Sequence, residues 1–249
     1  MSGHYYCGAA RQNLARYLDL LARQRVFETP ILPHEARGFV EFCGPCNGDK
    51  GQSSCLGWRI NVPQDRPISL GKFVEKKRAI NIRVAAKHDY MRPIAQDSAA
   101  WRERPSQNAN ITIGVWDVSG KEVQLARHHF DLANPKQHGS VWHLQQGGNG
   151  FGDGLETPRW TTIPMDLVLT LDLIVYNYAH DRWVKLQSDG SYVSAIIEAE
   201  DLVQSAWVRS IAAMMDTPQQ RRVTMLRLLD NEWLPGWRPI LDPRPVPVS

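Results

Sequence analysis

No stretch of this chain is apolar for long enough to cross a bilayer comfortably. The longest run, around Met165 to Tyr178, carries Asp166 and Asp172, whereas a spanning helix needs about 20 apolar residues in succession. Met1-Ser2-Gly3-His4 leads into polar and aromatic residues without an apolar segment, so no secretory signal is expected. Cysteine is scarce: four residues do not make a disulfide scaffold, and without an export signal they imply reduced thiols and a cytoplasmic setting. Net charge is only +3, which excludes a chain that is a basic clamp throughout. G-x-S-x-G, H-E-x-x-H and the kinase set are all missing, and with them the most readable routes to catalysis. The glycine-rich run Gly147 to Gly154 lacks the Gly-Lys-Ser or Gly-Lys-Thr of a phosphate loop and reads as a mobile hairpin or lid. Internal repeats and coiled-coil heptads are absent too.

What is present is an ordinary globular composition, 43% hydrophobic and 22% charged over 249 residues, enough for one large domain or two small ones. Nine tryptophans favour a well-packed core or an aromatic contact surface. Leu14, Leu18 and Leu21 recur at helical spacing within 9–26, and 34–41 reads as a second short helix. From residue 58 onward the period changes to two. Strands are expected at 58–62, 79–84, 110–116, 123–130 and 140–145, with a Ser119-Gly120 hairpin turn. The polar stretch 88–107 reads as a long loop or an exposed helix. A buried helix follows from about 163 to 178, with Thr162 as cap and Pro164 in its first turn. Further helices are expected at 193–215 and from Thr217 to Trp233, then a proline-rich tail. The expected fold class is α+β: an antiparallel β-sheet packed against C-terminal helices, with a small N-terminal zinc-bearing helical unit. The expected units are 1–57, 58–234 (sheet 58–146, helices 163–234) and the tail 235–249.

The zinc reading comes from His4-x2-Cys7 and Cys43-x2-Cys46. Two-residue spacing lets a tight turn present both side chains of a pair to one tetrahedral ion, and Gly44 and Pro45 suit such a turn. His4, Cys7, Cys43 and Cys46 are the expected Zn2+ ligands, with Cys55 a rival for the fourth place; plain thiols and a disulfide remain open alternatives. The run Cys43-Gly-Pro-Cys46-Asn47-Gly-Asp-Lys50-Gly51 resembles the C-x2-C-N-x2-K-G knuckle of treble-clef zinc folds, including many HNH-type nucleases, over residues 43–51 only. The resemblance implies zinc ligation at Cys43 and Cys46. The catalytic histidine pair of that family has no counterpart: the only histidine between the two ligand pairs is His34.

Charge is unevenly spread. Residues 59–104 hold eleven Lys or Arg against five Asp or Glu. Arg59, Lys72, Lys76, Lys77, Arg78, Arg83, Lys87 and Arg92 are therefore candidates for contacting nucleic-acid phosphates. Trp58, Trp101, Trp116, Trp142 and Trp160 lie in or beside this region; exposed rings would stack on bases, while buried rings would fill the sheet–helix interface. His128, His129, His138 and His143 form a second constellation, with Asp131 near in sequence. Histidine beside a carboxylate serves general acid–base chemistry or holds a metal. The readings in order are a nucleic-acid-associated zinc-knuckle protein within a larger complex, a histidine- or metal-dependent nuclease or toxin, and an interaction protein stapled by zinc. The expected partners are DNA or RNA and a protein met by the proline-rich tail, with no membrane.

Overall fold

The structure, a computed structural model, describes residues 3–27, 31–46, 55–75, 77–93, 106–132, 142–147 and 160–203. Among the described residues eight strands form one sheet: β1 (Val40–Cys46), β2 (Cys55–Val62), β3 (Ile68–Glu75), β4 (Arg78–Pro93), β5 (Ser106–Asp117), β6 (Val123–Leu132), β7 (Trp142–Gln146) and β8 (Trp160–Thr161). The order is β1-β2-β4-β5-β6-β7-β8, and every pair is antiparallel. The 16-residue β4 is the hub. It pairs with β5 along one edge, while β2 and β3 lie end to end along the other. Pro63 and Pro67 fall between β2 and β3, where a missing N–H does not break a ladder bond.

Period two gives the sheet one apolar and one polar face. Trp58, Ile60, Ile82, Val84, Ala86, Tyr90, Ile111, Ile113 and Phe130 share a single buried cluster with Leu14, Leu18 and Leu21 of α1 (Gly3–Arg23) and with Leu167, Leu171 and Ile174 of α3 (Leu167–Tyr178). The short α2 (Pro33–Gly38) leads into β1, and α4 (His180–Gln187) and α5 (Gly190–Val203) follow α3. All the helix residues in this cluster pack on the Trp58 face. The opposite face carries Arg59, Asn61, Asn81, Arg83, Lys87, Asp89, Asn110, Thr112, Trp116, Arg127, His129, Asp131 and His143, the alternate positions of the same ladders. The fold is therefore α+β, an antiparallel sheet with C-terminal helices, as the period changes imply.

Hydrogen bonds between side chains fasten the helical layer. The Asp172 carboxylate accepts from Tyr17 Oη and Tyr192 Oη, both at 3.0 Å, and from Trp183 Nε1 at 3.3 Å. One residue of α3 thereby ties α1, α4 and α5 together. Asn13 Nδ2 donates to the Ala195 carbonyl at 3.0 Å, a second link from α1 to α5.

Several elements depart from expectation. The helix expected at 34–41 ends at Gly38, and Val40 onward is strand, so β1 and not a helix delivers Cys43. The helix expected from residue 163 starts at Leu167: Asp166, in extended conformation, accepts from the Leu169 N–H at 2.8 Å and is the cap in place of Thr162, as its short acceptor side chain favours. Residues 88–93 and 106–107 continue β4 and β5. A boundary after residue 57 would cut through β2, and α1 shares its core with the sheet. Among the described residues no helix is long and apolar enough to cross a membrane.

Candidate nucleic-acid interface

A Cβ added to Gly114 would sit 2.8 Å from Trp116 Nε1 and 3.2 Å from Gln124 Nε2, so the edge of the indole occupies space that a side chain at 114 would fill. Gly114 and Trp116 are two apart on β5 and so share a face, which aligns them for this contact. The Arg83 guanidinium stands over the ring, 4.8 Å from its centroid, within cation–π range. Glu122 holds Arg83 with two contacts of 2.7 Å, and this pairing keeps the Glu122 carboxyl below the usual range. The result is a partly buried aromatic ring beneath a planar cation whose charge is already paired.

The basic candidates differ in their surroundings. Arg59 is paired to Asp89, as Arg83 is to Glu122. Lys77 and Arg78 are exposed at the β3–β4 turn, where Lys77 takes a left-handed φ of 69°, and Lys72 is exposed on β3 within its register shift. That turn is at the Trp116 end of the sheet: Val118 N–H donates to the Ala79 carbonyl at 2.8 Å, and the charge of Arg78 helps lower the Asp117 carboxyl. Lys87 is exposed farther along the polar face. Arg92 belongs to β4, opposite Leu56, and Lys76 lies outside the described residues. Of the tryptophans, Trp58 stacks on Tyr90 at 3.9 Å and Trp142 is 1% exposed, so both are core. Trp160 is 65% exposed on the edge strand β8, and Trp101 lies outside the described residues.

The histidines also separate. His128 sits opposite Ile113 and Gln146 on the apolar side, half-buried, and burial lowers its pKa. His129 and Asp131 are two apart on the polar side, and His143 is the ladder partner of Asp131. His129 Nε2–H donates to the Gly147 carbonyl at 2.8 Å, and its Nδ1 faces Thr112 Oγ1 at 3.1 Å. Burial is the largest cause of its lowered pKa, and the Thr112 hydroxyl donates to Asn110 Oδ1 at 3.2 Å. Asn110 Nδ2 donates to Asp131 at 2.5 Å, and His143 Nε2 is 3.9 Å from the other Asp131 oxygen. His129 and His143 are 8% and 1% exposed, so both are closed to substrate. His138 lies outside the described residues.

Of the expected zinc ligands, His4 and Cys7 belong to the first turns of α1, and Cys43 and Cys46 to β1. Among the described residues no group of three His, Cys, Asp or Glu side chains is disposed to hold a metal. No protein family, curated protein or solved structure matches the chain. Gly114 and Glu122 escaped the sequence reading. The period-two pairing of Gly114 with Trp116 was the available signal for the first; the second depends on strand register, which spacing alone does not carry.

Proposed function

We propose that the polar face of the sheet binds single-stranded nucleic acid. The Trp116–Arg83 stack would receive a base, and the exposed Lys72 on β3 with Lys77 and Arg78 at the adjoining turn would contact phosphates. The observation that carries this reading is the indole edge seated against Gly114 with the Arg83 guanidinium over its ring. A flat aromatic ring beside cations is how sheets hold unpaired bases without strict sequence preference. Paired charges at Arg59 and Arg83 make this a stacking site more than a phosphate clamp.

With three cations on phosphates, the slope of log K against log salt is about −2, since each contributes about −0.7 on a single strand. Fluorescence anisotropy with labelled RNA and DNA oligonucleotides at several salt concentrations tests this. Trp116→Ala should weaken binding by about 1–3 kcal/mol, the usual value of one base stack. A Trp116→Ala variant that folds and binds like the parent, or a parent that does not bind at low salt, would sink the proposal.

A further inference from the structure

The helical layer carries a separate inference, independent of the nucleic-acid reading. Arg23 pairs with Asp189 at 3.8 Å and Arg16 with Glu198 at 3.0 Å, so α5 runs antiparallel to α1. α3 runs with α1: Tyr17 meets Asp172, and Arg182, just beyond α3, donates to the Arg25 carbonyl at 2.7 Å. α3 and α5 are therefore antiparallel, and they touch where Tyr192 donates to Asp172 at 3.0 Å. Leu173 and Val193 each follow that contact by one residue, about 100° round the helix. In an antiparallel pair those two steps turn to the same side. Glu198, which reaches Arg16, turns the other way, toward α1. The side away from α1 is apolar and open: Leu173, Tyr176, Val184, Val193 and Ile197 are 39–51% exposed. Tyr176 stands edge-on to Trp183 at 4.9 Å, which joins α4 to the strip. Exposed apolar positions on neighbouring helices are what a further helix covers.

Residues 204–249 continue from the end of α5 and lie outside the described residues. Within them Val223, Leu226, Leu229 and Trp233 recur at three- and four-residue spacing. Such a stripe needs a surface to pack on, because a helix of that length is marginal by itself. The length of chain is sufficient: residues 204–216 can span about 45 Å when extended, whereas α5 is about 21 Å long. Charge fits as well. Residues 167–203 hold six Asp or Glu against two Lys or Arg, with Asp181 and Glu200 exposed. Residues 217–229 hold Arg221, Arg222 and Arg227 and no acid. We propose that residues 217–233 of the same chain dock on this strip, with their apolar stripe against it and their arginines toward its acidic rim.

Hydrogen exchange of the full chain, read by mass spectrometry on peptides from 217–233, tests this. Amides there should exchange about tenfold or more slowly than in an unstructured peptide, at every protein concentration. Val193→Asp combined with Ile197→Asp should abolish that protection while β4 and β5 keep theirs, because both positions are half-exposed and tolerate a charge. Since the paired aspartates can disturb α5 itself, hydroxyl-radical footprinting of the parent is read beside them and needs no variant. Tyr176 and Leu173 should be labelled at the rates of buried side chains. Free exchange across 217–233 in the parent, protection that survives in the folded variant, or labelling of Tyr176 at an exposed rate would each overturn the assignment. So would protection that disappears on dilution as a dimer dissociates, which would make a second copy of the chain the occupant.

Discussion

Two buried ionisable groups pull the pH dependence of stability in opposite directions, and a single substitution separates them. His88 is fully buried on β4, stacked on Tyr90 at 4.0 Å, with Nδ1 2.9 Å from Tyr90 Oη. Burial drives its pKa down to about 3. Asp166, also buried, is driven up to about 6 by loss of solvent, against the opposing pull of backbone N–H groups at the helix start. A histidine with a folded pKa below its unfolded value costs stability as pH falls below about 6.5, because the unfolded chain binds the proton first. A carboxyl with a folded pKa above its unfolded value has the reverse sign: its penalty appears as pH rises through about 4 to 6. At about 1.4 kcal/mol per pH unit, acidification from pH 6.5 to 4 costs about 3.5 kcal/mol through His88. Protonation of Asp166 returns about 3 kcal/mol over nearly the same window.

Asp166→Asn isolates the effect. Asparagine keeps an oxygen for the Leu169 N–H and is as good a cap as aspartate, yet does not titrate. Urea unfolding of parent and variant at matched pH values gives the difference directly, and contributions from all other groups cancel. The variant should gain on the parent by about 3 kcal/mol between pH 4 and pH 7. It should also show a steeper acid loss, because His88 is no longer offset. A difference that is flat with pH would refute the reasoning, since it would mean that Asp166 is ionised in the folded protein across that range.

Three shorter predictions follow from the same contacts. Asp172→Ala strands the hydroxyls of Tyr17 and Tyr192 and the Trp183 N–H; a loss of about 3 kcal/mol is expected from hydrogen bonds to a charged group, measured by denaturant unfolding. Glu122→Gln releases Arg83 from its pairing, and should tighten oligonucleotide binding while making the salt slope steeper by about 0.7; unchanged binding would count against Arg83 facing the strand. Gly114→Ala drives a Cβ to 2.8 Å from the Trp116 indole and should tilt the ring. Affinity should fall toward that of Trp116→Ala while unfolding moves by about 1 kcal/mol or less, because the ring's outer edge has room to yield.

What was legible in the sequence is what short-range pattern controls. The β5–β6 hairpin announced itself through alternation on both sides of Ser119-Gly120, and α1 through its leucines. The apolar stretch before Tyr178 is a buried helix because nearly all its positions are apolar. The second half of β4 was not legible, because Lys87, Asp89 and Arg92 resemble a loop; yet His88 and Tyr90, the intervening residues, are in the core. The period-two rule held there, with aromatic and neutral imidazole groups standing where aliphatics are usual. β3 was missed for another reason: a register shift between Leu70 and Phe73 breaks the alternation that would have revealed it.

The candidate site lies at the limit of what such patterns convey. Lysine and arginine counts mark a basic segment, but only register tells which of those cations already has a partner. Arg59 finds Asp89 on the adjacent strand, at the paired position. Arg83 reaches Glu122, which lies 39 residues away in sequence, beyond the end of β5. Lys72 on β3 and Lys77 and Arg78 at the β3–β4 turn are exposed, and on the proposed reading the surface would act by stacking more than by charge. The measured salt slope separates these two descriptions. About −2 fits Lys72, Lys77 and Arg78 alone, whereas about −6 would mean that all eight basic candidates meet phosphate and would place the strand across Arg59 and Lys87 as well as Trp116.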